Sequence, residues 1–164
     1  LILEFSPTII GLVLAGKVGS YIASSIGTMR VSEQIDALDI MGVNSANYLI
    51  MPKILACVIF NPILIAISMV VGIMGGYLAG MSTGNWTTAE FTTGIQMYMP
   101  NLFFYYAFIK TIVFAFIIAT VPAYFGYYVH GGSLEVGRAS TQAVVWTMVF
   151  IIIAELLLTQ MILG

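Results

Sequence analysis

The chain has 164 residues, 60% of them hydrophobic and 7% charged, with a mean hydropathy of +1.05, which excludes a soluble domain and describes an integral membrane protein. A net charge of −2 without a basic run excludes a nucleic-acid partner, and the single Cys57 excludes an internal disulfide framework. A helix needs about 20 apolar residues to cross the hydrocarbon core with every backbone N–H and C=O satisfied, so the length allows about four spans.

The expected fold class is therefore all-α: a polytopic helical membrane protein in one domain over residues 1–164. The first span is expected over Pro7 to Ser25, with Ser6 as N-cap and Pro7 in the first turn. Gly11, Ala15, Gly19, Ala23 and Gly27 recur every four residues, so one helical face is lined with small side chains and lets another helix approach closely. That partner is either a helix of the same chain or one of another subunit.

Next comes GTMRVSEQIDALDIMGVNSANYLIMP, residues 27–52, where Arg30, Glu33, Asp36 and Asp39 make up four of only twelve charged side chains. Ser32 is placed as an N-cap, with Glu33 and Asp36 in a first turn whose dipole favours acids, and a short helix follows to about Met41. Val31, Ile35 and Leu38 form an apolar stripe, while Glu33, Asp36 and Asp39 lie opposite, and Gly42 stops the helix. Helices that lie on a membrane surface favour Lys and Arg on the polar face. This face is acidic, which points to docking on a soluble partner.

The second span is expected over Ile54 to Gly80, the third over Leu102 to Tyr124 and the fourth over Ala143 to Leu163. Pro62, after Asn61, and Pro122 should kink their helices rather than end them. Cys57 reads as core packing, and Gly72, Gly76 and Gly80 repeat the small-residue spacing. The connection 81–101 has no Lys or Arg, whereas 28–53 carries Arg30 and Lys53, with Lys17 snorkelling towards it, and 126–142 carries Arg138. The latter two are therefore expected in the cytoplasm, with both termini outside. An external start at Leu1, with neither initiator Met nor signal peptide, predicts that an earlier span is missing from this sequence.

Lys110 in the third span and Glu155 in the fourth are ionisable groups within the bilayer, each costing at least about 2.5–3.5 kcal/mol without a partner or water. A pair between them is attractive, either as an internal ion pair fixing helix packing or as a headgroup contact or gate. Tyr98, Tyr105, Tyr106, Tyr124, Tyr127 and Tyr128 read as interfacial belt aromatics, and the methionines as gap fillers. His130 has no second ligand at metal spacing, so no metal is expected. There is no HExxH, GxSxG or GxxxxGK[ST], so the chain is not read as an enzyme and any ATP hydrolysis belongs to a separate polypeptide. On the residues alone, a proton-coupled secondary transporter using Lys110 and Glu155, or a scaffold subunit, stands beside a pump permease.

Asp36-Ala37-Leu38, Gly42 four positions on, then Ile50-Met51-Pro52, resembles the EAA loop of ABC transporter permeases, with Asp for Glu, Leu for the second Ala, a shorter spacer and Met before the proline. The wider run LAGKVGSYIASSIGTMRVSEQIDALDIMGVNSANYLIMPKILA, residues 14–56, is similar to the signature region of the MlaE family, permeases of MCE-linked lipid ABC transporters. The likeness continues through Phe60-Asn61-Pro62, Gly75-Gly76, Ile109-Lys110-Thr111 and Leu158-Thr159. It implies five spans in the full chain, a homodimer in the bacterial inner membrane, and a separate ATPase subunit carrying ATP and Mg. It also implies a periplasmic MCE-domain ring, and phospholipid as the substrate moved between the inner and outer membranes. The coupling helix would use Glu33, Gln34, Ile35, Asp36, Ala37, Leu38, Asp39, Met41 and Gly42, with Ile35, Leu38 and Met41 as anchors buried in the ATPase. Glu4 is similar in position to a charged residue at the family's cavity, so Glu4, Lys110 and Glu155 form the expected substrate path.

Overall fold

The computed structural model describes residues 1–164, in six helices and no strand. They are α1 (Phe5–Val31), α2 (Gln34–Ile40), α3 (Ser45–Thr83), α4 (Thr88–Met97), α5 (Asn101–Tyr127) and α6 (Ser133–Leu163). Helices α1, α3, α5 and α6 are long and apolar enough to cross a membrane. A single π turn, Ala15–Gly19, interrupts α1.

The spans outrun their expected limits. Helix α1 starts before Ser6, whose N–H is already bonded to the carbonyl of Leu1 at 2.9 Å, so Ser6 is buried and is not the cap. Helix α3 has 39 residues, about 58 Å at 1.5 Å per residue against a hydrocarbon core of about 30 Å. It therefore begins well outside the membrane, at Ser45, where the Asn44 side chain accepts the N–H of Asn47. Pro52 and Pro62 lie inside α3 and Pro122 inside α5, and none ends its helix. Helix α6 begins at Ser133 rather than near Ala143, so Arg138 lies on a helix, 2.9 Å from Glu135, and not in a loop.

Helix α4 falls in a stretch read as a plain polar connection. Its start is a capping box: the Thr87 N–H donates to Glu90 at 2.7 Å, and the Glu90 N–H donates back to the Thr87 hydroxyl. The Thr87-Thr88-Ala89-Glu90 spacing carried that signal. Hydrogen bonds from the Thr87 backbone and hydroxyl hold the Glu90 carboxyl below the ordinary value of 4.5. A depressed carboxyl stabilises the fold above its unfolded value and loses that contribution as pH falls through its folded one. The protection factors of the α4 amides, their exchange relative to the unfolded chain at the same pH, are therefore expected to fall as the pH drops below 4.5, with Glu90→Gln removing most of that dependence; pH-independent protection in the wild type would contradict it.

Helix α5 is the centre of the bundle and packs on α1, α3 and α6. The small-residue stripe of α1 is used within the chain: Gly11 faces Phe114, Gly19 faces Pro122, Gly27 faces Val129 and Val136, and Ala15 and Ala23 are fully buried. The reciprocal residue is Gly126 on α5, where a Cβ would lie 2.6 Å from the Ala23 carbonyl oxygen, so the crossing is closed to any other side chain. Gly72, Gly76 and Gly80 do not form one packed face, since Gly80 is covered by Trp86 while Gly76 touches nothing. Cys57 is buried beside Ile22, Ile26 and Ile35.

Candidate functional site

The acidic connection is built as a short helix clamped to the bundle. Ser32 does not cap it; its hydroxyl donates to the Thr28 carbonyl at 2.8 Å and closes α1 instead. Glu33 then takes a left-handed φ of 62°, turning the chain sharply so that α2 starts at Gln34. At the other end Gly42 has φ 78°, and the Val43 N–H reaches back to the Leu38 carbonyl at 3.1 Å, a glycine stop that leaves α2 seven residues long.

Ile35 is fully buried in the cluster of Ile22, Ile26 and Cys57, and Leu38 is half-buried. The expectation that Ile35 is an anchor for a partner is therefore corrected: it pins α2 to its own spans. The apolar groups left for another protein are Met41, 68% exposed, and Ile40, 86% exposed. Ile40 was not singled out in the sequence because it lies off the Val31, Ile35, Leu38 stripe. Glu33, Gln34, Ala37 and Asp39 all face outwards.

Asp36 has a partner inside the chain. Arg30 Nη1 donates to it at 3.1 Å, Arg30 Nε donates to the Tyr127 carbonyl at 2.7 Å, and the guanidinium lies 4.4 Å from the centroid of the Tyr127 ring. The Tyr127 hydroxyl is in turn 2.8 Å from Ser45 Oγ. Tyr127 is thus a half-buried strut rather than a belt aromatic. Through Arg30 and Tyr127, α2 is tied to the ends of α1, α3 and α5 at once.

A second polar centre lies at the far end of the bundle. Lys110 is fully buried and donates to the Leu3 carbonyl (3.0 Å), Glu4 (2.8 Å), the Tyr106 hydroxyl (3.3 Å) and Glu155. Four acceptors exceed the three protons of an ammonium, so Lys110 is saturated. Tyr106 donates to Glu4 at 3.1 Å and lies 2.8 Å from Thr159, and Thr8 donates to Glu155 at 2.9 Å. The cluster brings Glu4, Lys110 and Glu155 together across α1, α5 and α6. Its exposed member is Glu4, whose side chain is 51% accessible. Tyr106, read as a belt aromatic, is fully buried, and its place four residues before Lys110 on one helical face was the signal for it. Between α3 and α5 runs an apolar groove of about 360 Å³, lined by Pro62, Ile65, Met69, Phe104, Phe108 and Thr111 among others.

Four spans, a clamped helix outside them at one end and an ionic cluster centred on the buried Lys110 at the other define a multi-pass helical membrane protein. Residues 1–161 match the family described as Permease MlaE, and the chain belongs to that family. It is 40% identical over 158 residues to a probable ABC transporter permease protein of Rickettsia bellii, an alignment covering 96% of this chain and 61% of that protein. A protein of the same description from Synechocystis is 35% identical over 156 residues, covering 95% of this chain and 59% of its own. The Arabidopsis thaliana chloroplast protein TRIGALACTOSYLDIACYLGLYCEROL 1 is 33% identical over 164 residues, covering 96% of this chain and 45% of its own. The chain thus spans about three-fifths of the bacterial relatives and less of the plant one.

Proposed function

We propose that the chain is the permease subunit of an ABC transporter that moves phospholipid between the inner and outer bacterial membranes, with ATP and Mg held by a separate ATPase subunit. The observation that carries this reading is the clamped helix α2. A partner that closes on ATP can drive the spans only through an element that does not yield, and Ile35, Asp36 and Arg30 fix α2 to α1, α3 and α5. Its outward acids, Glu33 and Asp39, and its free apolar end, Ile40 and Met41, suit a groove with a basic rim, where charge sets specificity more than affinity.

The names of the bacterial relatives support the transporter class, and the plant relative's name contains a diacylglycerol glycolipid. The apolar groove beside α5 suits an acyl chain, and the half-exposed Glu4 carboxylate suits a headgroup. On this reading two permease copies form a homodimer, each holding one ATPase, beneath a periplasmic MCE-domain ring. The subunit is a transport element, not an enzyme, and itself holds no cofactor.

The test is purification of the full-length protein from membranes with whatever accompanies it, followed by mass spectrometry and ATP-dependent transfer of labelled phospholipid between vesicles. Copurifying ATPase and MCE-domain subunits, with transfer that stops without ATP, are expected. Bound phospholipid with no ATPase would contradict the proposal.

A further inference from the structure

We propose that the bundle hinges where the π turn Ala15–Gly19 of α1 lies against Pro122 of α5, so that the α2 end turns as one body on the rest. The inference rests on the permease reading, in which α2 receives the stroke of the ATPase. Gly11 faces Phe114, Gly19 faces Pro122 and Ala23 meets Gly126. These pairs keep a constant offset, so α1 and α5 run parallel and in register. Ala15, the first residue of the π turn, therefore lies level with Ile118, and both are buried in one cluster. Pro122 has no N–H, so it leaves the Ile118 carbonyl without its helical donor. The stretches 15–19 and 118–122 are thus the interrupted turns of their helices, and they face each other across one contact.

The other two spans do not splint this level. In α3, Pro52 lies between Ser45, which meets Tyr127, and Cys57, which shares a cluster with Ala115 and Ala119. It frees the Tyr48 carbonyl just as Pro122 frees that of Ile118. In α6, Ser140 meets Ser20 and Met148 faces Gly16. Between them the buried Thr147 hydroxyl donates to the Ala143 carbonyl at 2.6 Å, a bond that competes with the helical ladder and bends helices. Each span therefore carries an identifiable cause of bending close to the same level.

On either side of that level the same helices are locked. Towards α2, a Cβ on Gly126 would lie 2.6 Å from the Ala23 carbonyl oxygen, Arg30 donates to the Tyr127 carbonyl at 2.7 Å, and the Tyr127 hydroxyl is 2.8 Å from Ser45 Oγ. Helix α2 and the ends of α1, α3 and α5 therefore move together. On the far side, a Cβ on Gly11 would lie 2.9 Å from the Phe114 ring, and Lys110 joins Glu4 and Glu155. Two locked bodies joined through one level of interrupted turns make a hinge, in which a few residues absorb the change. Ala15, Gly19, Ile118 and Pro122 are all buried within the chain, so the hinge does not depend on what covers the outer faces of the spans.

The experiment determines the structure of the full-length permease in its assembled complex twice, nucleotide-free and with ATP trapped by vanadate. The bends of α1 at 15–19 and of α5 at 118–122 are expected to differ between the two states, while the Gly11 to Phe114 and Ala23 to Gly126 contacts persist. Identical bends, or loss of either contact, would overturn the inference. A Cβ on Gly19 would meet the Pro122 ring at 3.2 Å, so Gly19→Ala combined with Pro122→Ala refills the space of the ring and gives Ile118 its donor back. The thermal midpoint of this double variant is expected to match the wild type. Labelled phospholipid transferred per ATP should nevertheless fall roughly fivefold or more, the weight of one backbone hydrogen bond restored to the straight helix. If Pro122 served packing alone, the double variant would transfer lipid at the wild-type ratio, and that result would also overturn the inference. If the unmodified complex transfers no phospholipid with ATP, the permease reading itself fails; if transfer is normal and the bends are fixed, only the hinge fails.

Discussion

Lys110→Met is expected to destabilise the fold by on the order of 3–5 kcal/mol, the usual result of removing one partner from a buried ionic group. The ammonium is the only cation between Glu4 and Glu155, and it also satisfies the Leu3 carbonyl and the Tyr106 hydroxyl. Without it two carboxylates face each other where α1, α5 and α6 meet. Thermal unfolding of the full-length protein in detergent measures the loss. Lys110→Met combined with Glu4→Gln and Glu155→Gln should recover most of it, because no uncompensated charge is left. An unchanged midpoint in the single variant would show that the cluster is not structural.

Arg30→Met should uncouple ATP hydrolysis from lipid transfer while leaving the spans folded. The variant loses the bond to Asp36, the bond to the Tyr127 carbonyl and the stacking on the Tyr127 ring. A hydrogen bond from a charged group contributes about 1.5–3 kcal/mol and an exposed cation–π contact about 0.5–1 kcal/mol. Losing 1.4 kcal/mol already shifts a balance between transmitted and wasted strokes about tenfold. Lipid moved per ATP, measured in reconstituted vesicles, should fall by roughly that factor or more. Asp36→Lys should act in the same direction, since it sets an ammonium against the guanidinium that now neutralises Asp36. Normal stoichiometry in both variants would remove the clamp from the mechanism.

The membrane class, the four spans and the place of the short acidic helix were legible because they depend on composition and on local signals such as Gly42. The small-residue stripe was legible as a packing face, but its partner was not, since spacing alone does not say which helix lies opposite. Lys110 and Glu155 announced themselves by the energetic penalty of their position. Tyr106, Thr8 and Thr159 did not, because a tyrosine or threonine in a span is cheap and ordinary. Ile35 misled for a related reason: a stripe of Val31, Ile35 and Leu38 says that a face is buried, not whether the chain or a partner buries it. The length of α3 was underestimated because polar residues and Pro52 read as loop, although in a helix started by Asn44 they simply extend beyond the membrane.

The most direct test of α2 as the coupling element is site-specific crosslinking in the assembled complex. Cys57 is the one thiol among these 164 residues and is buried, so a Cys57→Ala background, with any thiol elsewhere in the complex also replaced, leaves reporter cysteines in place of Ile40 or Met41 as the reactive positions. With a short thiol–amine reagent, both reporters should join the ATPase subunit, and ATP should change the yield. A reporter at Thr92, on exposed α4, should not join it. Absence of any ATPase adduct from Ile40 and Met41 positions, in a complex that still hydrolyses ATP and moves lipid, would contradict the coupling role.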